Sequence, residues 1–274
     1  MSTVEAPLGG LLKDWRQRRR LSQLDLALEA GVSARHLSFL ETGRSKPSRD
    51  MVIHLSEQLE VPLRDRNQLL LAAGFAPAYS EQALDAPDMA PVREALDRIL
   101  KGHEPYPAVV VDRSWELVAA NASIAVFTDL AAPHLLEPPV NALRVTLHPD
   151  GMAPHILNLA EWRAHLLDRL RRQVAVTNDD QLASLYAEVA EYPGGEAKLS
   201  AHEPGIAVPL RIAIDGRELA FFSTIATFGT AVDITLAELA IEAFFPADEQ
   251  TAQALTSALS ASRAGSASVS KRTA

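Results

Sequence analysis

One short segment carries side chains suited to reading nucleic acid. Within residues 21–45, LSQLDLALEAGVSARHLSFLETGRS, Ser33 opens a helical run, Ala34-Arg35-His36-Leu37-Ser38-Phe39-Leu40-Glu41. Leu37 and Leu40 are three apart and turn one face towards a core. Ser33, Ala34, Arg35, Ser38 and Phe39 then point outward, with His36 on the flank. At such positions an arginine donates two parallel hydrogen bonds to O6 and N7 of guanine. A serine serves base or phosphate, and a phenylalanine lies against a thymine methyl. The alternative role for Arg35 is a phosphate clamp, since phosphate contacts outnumber base contacts. Gln23 is the second residue of the preceding helix, where backbone N–H groups and an amide can grip phosphate. Arg44, Lys46 and Ser48 follow as further phosphate candidates, against the alternative of an ordinary solvated loop.

These residues need a scaffold, and the first eighty residues spell one out as five short helices. The first covers roughly 9–20, with Leu11, Leu12 and Trp15 at core spacing. Ser22 caps the second, with Asp25 three residues on. Gly31 supplies the turn to the third helix, which Ser33 caps. Pro47-Ser48 opens the fourth, and Pro62 opens the fifth, which ends at Gly74. Helix, tight turn and second helix is the layout of a reader of the DNA major groove. The segment resembles the Xre/Cro-type repressors. The resemblance implies that Gln23 holds phosphate and that Glu41 pairs with Arg16 of the first helix as part of the scaffold. The basic run Arg18-Arg19-Arg20 has two readings, a solvated helix end complementing the helix dipole or a DNA contact.

After a Pro- and Ala-rich stretch, 76–91, and a helix over 92–100, the pattern changes. A β-branched run at 108–112 turns at Arg113-Ser114 and returns over 116–119, and Asn121 is read as the cap of a short helix. Two longer helices, 156–174 and 179–192, precede strands at 207–214, 218–228 and 239–245. The first two of these strands meet at the Asp215-Gly216 hairpin turn. Asp248 is read as the cap of a last helix. The hairpin, the helix and the closing strands resemble a PAS-like sensor. With VVDRSWELVAAN at 110–121, DITLAELAIEAFFPAD at 233–248 and RNQLLLAAGFAPAY at 66–79, the chain resembles the MmyB-like branch of Xre regulators. The resemblance implies a small-molecule domain for apolar, fatty-acid-like ligands. Its pocket residues are expected to be Phe127, Trp162, Leu166, Phe222 and Phe228.

The expected fold is α+β and multidomain. Residues 1–78 form an all-α helix-turn-helix domain, and 79–104 a linker and connecting helix. Residues 105–260 form a PAS-like antiparallel sheet with helices, and 261–274 a disordered tail. The net charge of −9 is uneven. Residues 13–49 carry nine Lys/Arg and four Asp/Glu, whereas 81–274 carry 15 basic and 26 acidic residues. A basic segment on an acidic body suits one end touching phosphate.

There is no cysteine, so disulfides, thiolate zinc sites and cysteine nucleophiles are ruled out. The N-terminus lacks the pattern of a secretory signal, and no run is apolar enough to span a membrane. A cytoplasmic location is expected. His148 and His155, or His202 beside Glu203, match no metal-ligand spacing, and no nucleophile or nucleotide motif is present. No metal, cofactor or catalysis is expected. The expected partners are double-stranded DNA, a second copy of the chain and a small apolar effector, with no membrane. The competing readings are an enzyme targeted by the helix-turn-helix, a protein-binding helical module, and an effector domain that only dimerises.

Overall fold

The computed structural model describes residues 7–177, 179–195 and 208–258, and the expected tail at 261–274 lies outside them. Five helices come first: α1 (Leu8–Arg18), α2 (Gln23–Glu29), α3 (Ala34–Glu41), α4 (Arg49–Gln58) and α5 (Leu63–Ala72). Short polar residues start three of them. Ser22 Oγ accepts from Asp25 N at 3.1 Å while Asp25 accepts from Ser22 N at 2.9 Å, a reciprocal capping box at α2. Ser33 caps α3 through His36 N, and Ser48 caps α4 through Met51 N. Gly31, at φ +64°, makes the left-handed turn between α2 and α3.

The caps set the phase of the helices, and the phase sends Leu12, Leu26, Leu37, Leu40, Leu55 and Leu59 into one core. α1 lies very close to the end of α3. A Cβ on Gly9 would sit 2.3 Å from the Glu41 carbonyl oxygen, whereas one on Gly10 would meet nothing within 4 Å. The basic run is partly structural. Arg19 donates to the carbonyls of Leu59 and Glu60 at 2.8 and 2.7 Å, capping the end of α4, and Arg18 lies over the Trp15 ring.

Two compact units emerge from the contacts, and the first is discontinuous. It includes residues 229–237 besides the first 83. In that returning segment, Asp233 is buried. It accepts from Ser80 Oγ at 2.8 Å and from Gln82 N at 3.2 Å, and it also takes the N–H of Leu236 in α11 (Ile234–Ala237).

The second unit begins with α6 (Ala90–His103), longer at both ends than the sequence pattern indicated. A five-stranded antiparallel sheet follows, in the order β2-β1-β5-β4-β3. Its strands are β1 (Ala108–Val111), β2 (Leu117–Ala120), β3 (Leu210–Ile214), β4 (Arg217–Thr227) and β5 (Ala240–Pro246). Asp112 Oδ1 accepts the N–H groups of Ser114 and Glu116, which closes the β1–β2 turn. Asn121 does not cap with its side chain, contrary to the sequence reading. It is buried, accepts from Ala108 N and donates to the carbonyls of Leu100 and Tyr106, tying α6 to β1. These three backbone hydrogen bonds to a buried amide outweigh one local cap.

Between β2 and β3 come α7 (Ala125–Thr128), α8 (Ala142–Leu147), α9 (Leu159–Thr177) and α10 (Asp180–Glu191). Their apolar residues, among them Trp162, Leu166, Leu170, Leu182 and Val189, share a core with Val109, Phe221 and Phe244 of the sheet. Phe127 packs edge-on against both Phe221 and Phe244, at centroid distances of 5.2 and 4.9 Å. Asp248 accepts the N–H of Thr251 and starts the helical stretch 249–258.

The glycine pair at the start of α1 separates packing from propensity. Gly9→Ala forces a methyl into backbone and is expected to destabilise the first unit by about 1–3 kcal/mol. Gly10→Ala meets open space and gains helix propensity, so it is neutral or stabilising by up to about 1 kcal/mol. Thermal melts of the two variants check this, and equal effects would refute the close α1–α3 approach.

Candidate nucleic-acid interface and effector pocket

α3 has two faces. Leu37 and Leu40 are 0% and 1% exposed and fix the helix on its core. Ser33 and Arg35 are exposed on the opposite side, with His36, Ser38 and Phe39 half-buried beside them. Ala34 packs partly against the core, which leaves its methyl little outward surface. The Arg35 guanidinium lies 5.3 Å from the Phe39 ring centre, one turn along the helix. The ring thus orients the cation without tying up its N–H groups. Arg44, Lys46 and Ser48 are exposed in and after the turn that follows α3, though the Ser48 hydroxyl already caps α4.

Gln23 has a structural partner that the sequence reading did not give it. Its amide donates to Glu41 Oε2 at 2.8 Å. The same carboxylate takes a two-pronged contact from Arg16, Nε to Oε1 at 2.6 Å and Nη2 to Oε2 at 2.9 Å. The third guanidinium nitrogen, Nη1, donates to the Leu21 carbonyl at 2.8 Å. One carboxylate thereby joins α1, α2 and α3. Its side chain is only 2% exposed. Burial alone would raise the Glu41 carboxyl. The hydrogen bonds from Arg16 and Gln23, with the charges of Arg16 and Lys13, outweigh burial and hold it below the ordinary value. One hydrogen of the Gln23 amide thus serves the scaffold, and one amide N–H remains as a donor.

The second unit holds a cavity of about 70 Å³ between the sheet and the helices. Phe127, Trp162 and Leu166 line it, together with Val109, Trp115 and Phe244 among others. Phe222 and Phe228 do not. Side chains alternate along a strand, so with Phe221 fully buried its neighbour Phe222 stands on the opposite sheet face, 40% exposed. Phe228 follows the end of β4 and lies away from the cavity.

The same alternation brings in a residue that the sequence reading passed over. On β5, Glu242 and Phe244 face the cavity, and Glu242 is 6% exposed. Glu242 pairs with Val109 on one neighbouring strand and Ile225 on the other. Its carboxylate lies 3.7 Å from Arg169 Nη1, beyond hydrogen-bonding distance. Ser223 supplies a hydrogen bond. Arg169 itself stacks over the Trp115 ring at 4.2 Å. Burial pushes the Glu242 carboxyl up, only partly opposed by Arg169 and Ser223, and pushes the Arg169 guanidinium down. Both move towards neutrality, because a 3.7 Å pair does not repay the desolvation of two charges.

Among the described residues, the fold also gathers His134, His148 and Asp150, whose ligand atoms lie within 4.8 Å of one another. His148 Nδ1 there accepts the N–H of Asp150 at 3.0 Å. No helix among the described residues is long and apolar enough to cross a membrane.

Comparisons with known proteins match both parts of the chain, though the match to the second part runs through residues 229–237 of the first unit. Residues 92–258 match the MmyB-like transcription regulator ligand binding domain. Residues 12–65 match a helix-turn-helix family. A solved structure, the clp gene regulator ClgR from Corynebacterium glutamicum, is similar to 38% of this chain and 97% of its own, at 24% identity and a TM-score of 0.23. A likeness that low adds nothing to the family matches. Curated proteins yielded no match.

The Arg16–Glu41 fork has two measurable consequences. Removing one partner of such an enclosed pair costs about 3–5 kcal/mol, so Arg16→Ala is expected to lower the stability of the first unit by that order. Because the folded Glu41 carboxyl sits below its ordinary 4.5, its contribution is complete above that value. It is lost as pH falls through the lower folded value. Glu41→Gln should therefore be less stable than the parent protein at neutral pH, and its stability should vary less with pH below about 4.5. A variant with the parent's acid sensitivity would show that other carboxylates govern it.

Proposed function

We propose that a small apolar effector, held in the sheet-lined cavity, controls how this DNA-binding transcription regulator, which belongs to the MmyB-like family, engages a specific operator as a homodimer. The observation that carries the DNA half is the two-faced α3. Its core face is closed by Leu37 and Leu40, and Ser33, Arg35, His36, Ser38 and Phe39 are left towards solvent. Arg35 reads a guanine edge, held in line by Phe39. Ser33 and Ser38 serve bases or phosphates, with Phe39 against a thymine methyl. Arg44, Lys46, Ser48 and the free side of Gln23 hold the phosphates on either side. A helix of this length reaches few base pairs, so a second copy on a neighbouring half-site supplies the remaining specificity.

The effector half rests on the apolar cavity lined by Phe127, Trp162 and Leu166. The opening hairpin, the intervening helices and the three closing strands support a PAS-like reading of this unit. At about 70 Å³ the cavity is smaller than the roughly 150 Å³ that accepts a benzene ring. An alkyl chain such as that of a fatty acid therefore binds a wider state, in which the helices have shifted off the sheet. That requirement makes the ligand an effector, because it favours one of two conformations through unequal affinity. Regulation, not catalysis, is the function proposed.

Arg35→Ala is expected to lower affinity for the operator by about 1–3 kcal/mol and relax preference at one base pair. Gln23→Ala should weaken all sequences evenly. Titrations against operator and random duplex measure both. Equal losses on the two duplexes for Arg35→Ala would reassign it as a phosphate clamp. Sedimentation of the complex gives the number of chains per operator, and a single chain on a full site would remove the homodimer.

A further inference from the structure

Two turns of the second unit bring imidazole and carboxylate side chains together, apart from the residues that line the cavity. His134 belongs to a single 3-10 turn, Pro133–Leu136. His148 and Asp150 belong to the turn that follows α8. The Ala132 N–H donates to the Asp150 carbonyl at 2.8 Å, which stitches the two turns to each other. Gly151 donates to the His148 carbonyl at 2.8 Å, and a Cβ on it would stand 2.2 Å from the Val145 carbonyl oxygen. The backbone beneath the three side chains is thus held in place, while His134 and Asp150 are exposed and His148 is half-buried.

Asp150 Oδ2 lies 3.9 Å from both His134 Nε2 and His148 Nδ1. The His148 ring is braced edge-on against Tyr192 at 5.0 Å, and Tyr192 donates to Glu188 at 2.6 Å. His148 Nδ1 accepts the Asp150 N–H. A neutral ring that accepts at Nδ1 carries its proton on Nε2, so the unprotonated nitrogen is the one nearest the Asp150 carboxylate.

We propose that His134 Nε2, His148 Nδ1 and the Asp150 carboxylate form a binding site for a divalent transition-metal ion of the zinc class, with water completing the coordination. Two imidazoles and one carboxylate suit such an ion. Calcium and magnesium take mostly oxygen ligands, and soft ions need the thiolates that a chain without cysteine lacks. Ligand atoms about 2.0–2.2 Å from a tetrahedral zinc stand roughly 3.3–3.6 Å from one another. Rotation of exposed side chains closes the difference from 3.9 Å. His148 exchanges the Asp150 N–H for the metal, and that N–H turns to water. The sequence showed no ligand spacing because His134 comes from a separate turn. The turn that carries the other two ligands lies between Thr146 and Met152, which line the cavity, so the ion ties that stretch of wall to the Pro133–Leu136 turn.

The test uses the full chain without an affinity tag, in a non-chelating buffer at pH 7.5, with ZnCl2, MgCl2 and CaCl2 as probes. Calorimetric titration is expected to show one zinc ion per chain at this site and no comparable binding of magnesium or calcium. Zinc should also raise the thermal transition as its concentration rises. His134→Ala and Asp150→Asn should each weaken zinc by roughly tenfold or more, since even the groups behind a metal ligand are worth about 10–100-fold. His155→Ala, outside the cluster, should bind zinc as the parent protein does. Hydrogen exchange should slow on zinc addition at residues 132–136 and 146–152. Absence of stoichiometric zinc binding would overturn the proposal. So would parent-like zinc affinity in both ligand variants, magnesium binding as tight as that of zinc, or protection confined to other segments.

Discussion

The DNA-reading unit depends on one enclosed carboxylate. Glu41 ends α3, and through it Arg16 of α1 and Gln23 of α2 are fixed to the recognition helix. An acid at the DNA-facing end of a basic segment is at first sight misplaced, since a bare charge there repels phosphate. Enclosing it and surrounding it with donors turns it into a hinge-pin for three helices. The hydrogen that Gln23 gives to Glu41 also holds its own side chain in place. Pre-positioning of this kind lowers the ordering cost that binding would otherwise meet.

The second unit contains an ion pair of the opposite kind. Arg16 and Glu41 meet in a tight fork, and the carboxyl is held in its charged form. Arg169 and Glu242 face each other at 3.7 Å in the sheet-lined core, and burial drives both towards neutrality. A fully compensated pair makes a rigid part, while an under-compensated one leaves interaction energy unrealised until something else supplies it. The contrast fits a chain in which one unit must present a fixed face and the other must respond.

Much of the first unit was legible in the sequence. Ser22 with Asp25, Ser33, Gly31, and the Leu37/Leu40 spacing are local signals, and local signals fix where short helices start and which way they face. The sheet was legible as strands, but not as faces. Period-two alternation in β5 separates Ile241, Ala243 and Phe245 from Ala240, Glu242 and Phe244 without saying which set turns inward. Hydrophobicity favours the first set, and the structure puts the second against the helices because Phe244 packs on Phe127. The same ambiguity misplaced Phe222. Asn121 misled for a related reason: its local pattern is that of a cap, while its partners come from Leu100, Tyr106 and Ala108, which only the folded chain brings together.

The returning segment 229–237 bears on how such a chain can be recombined. Its Asp233 completes the first unit by accepting from Ser80 and Gln82, yet it is encoded between two strands of the second. A crossover at a single point near residue 83 would exchange the sensor and carry away a piece of the scaffold with it. The two halves are thus inherited as a threaded pair, and an artificial chimaera with a new sensor needs either that loop transplanted or Ser80 and Gln82 re-partnered.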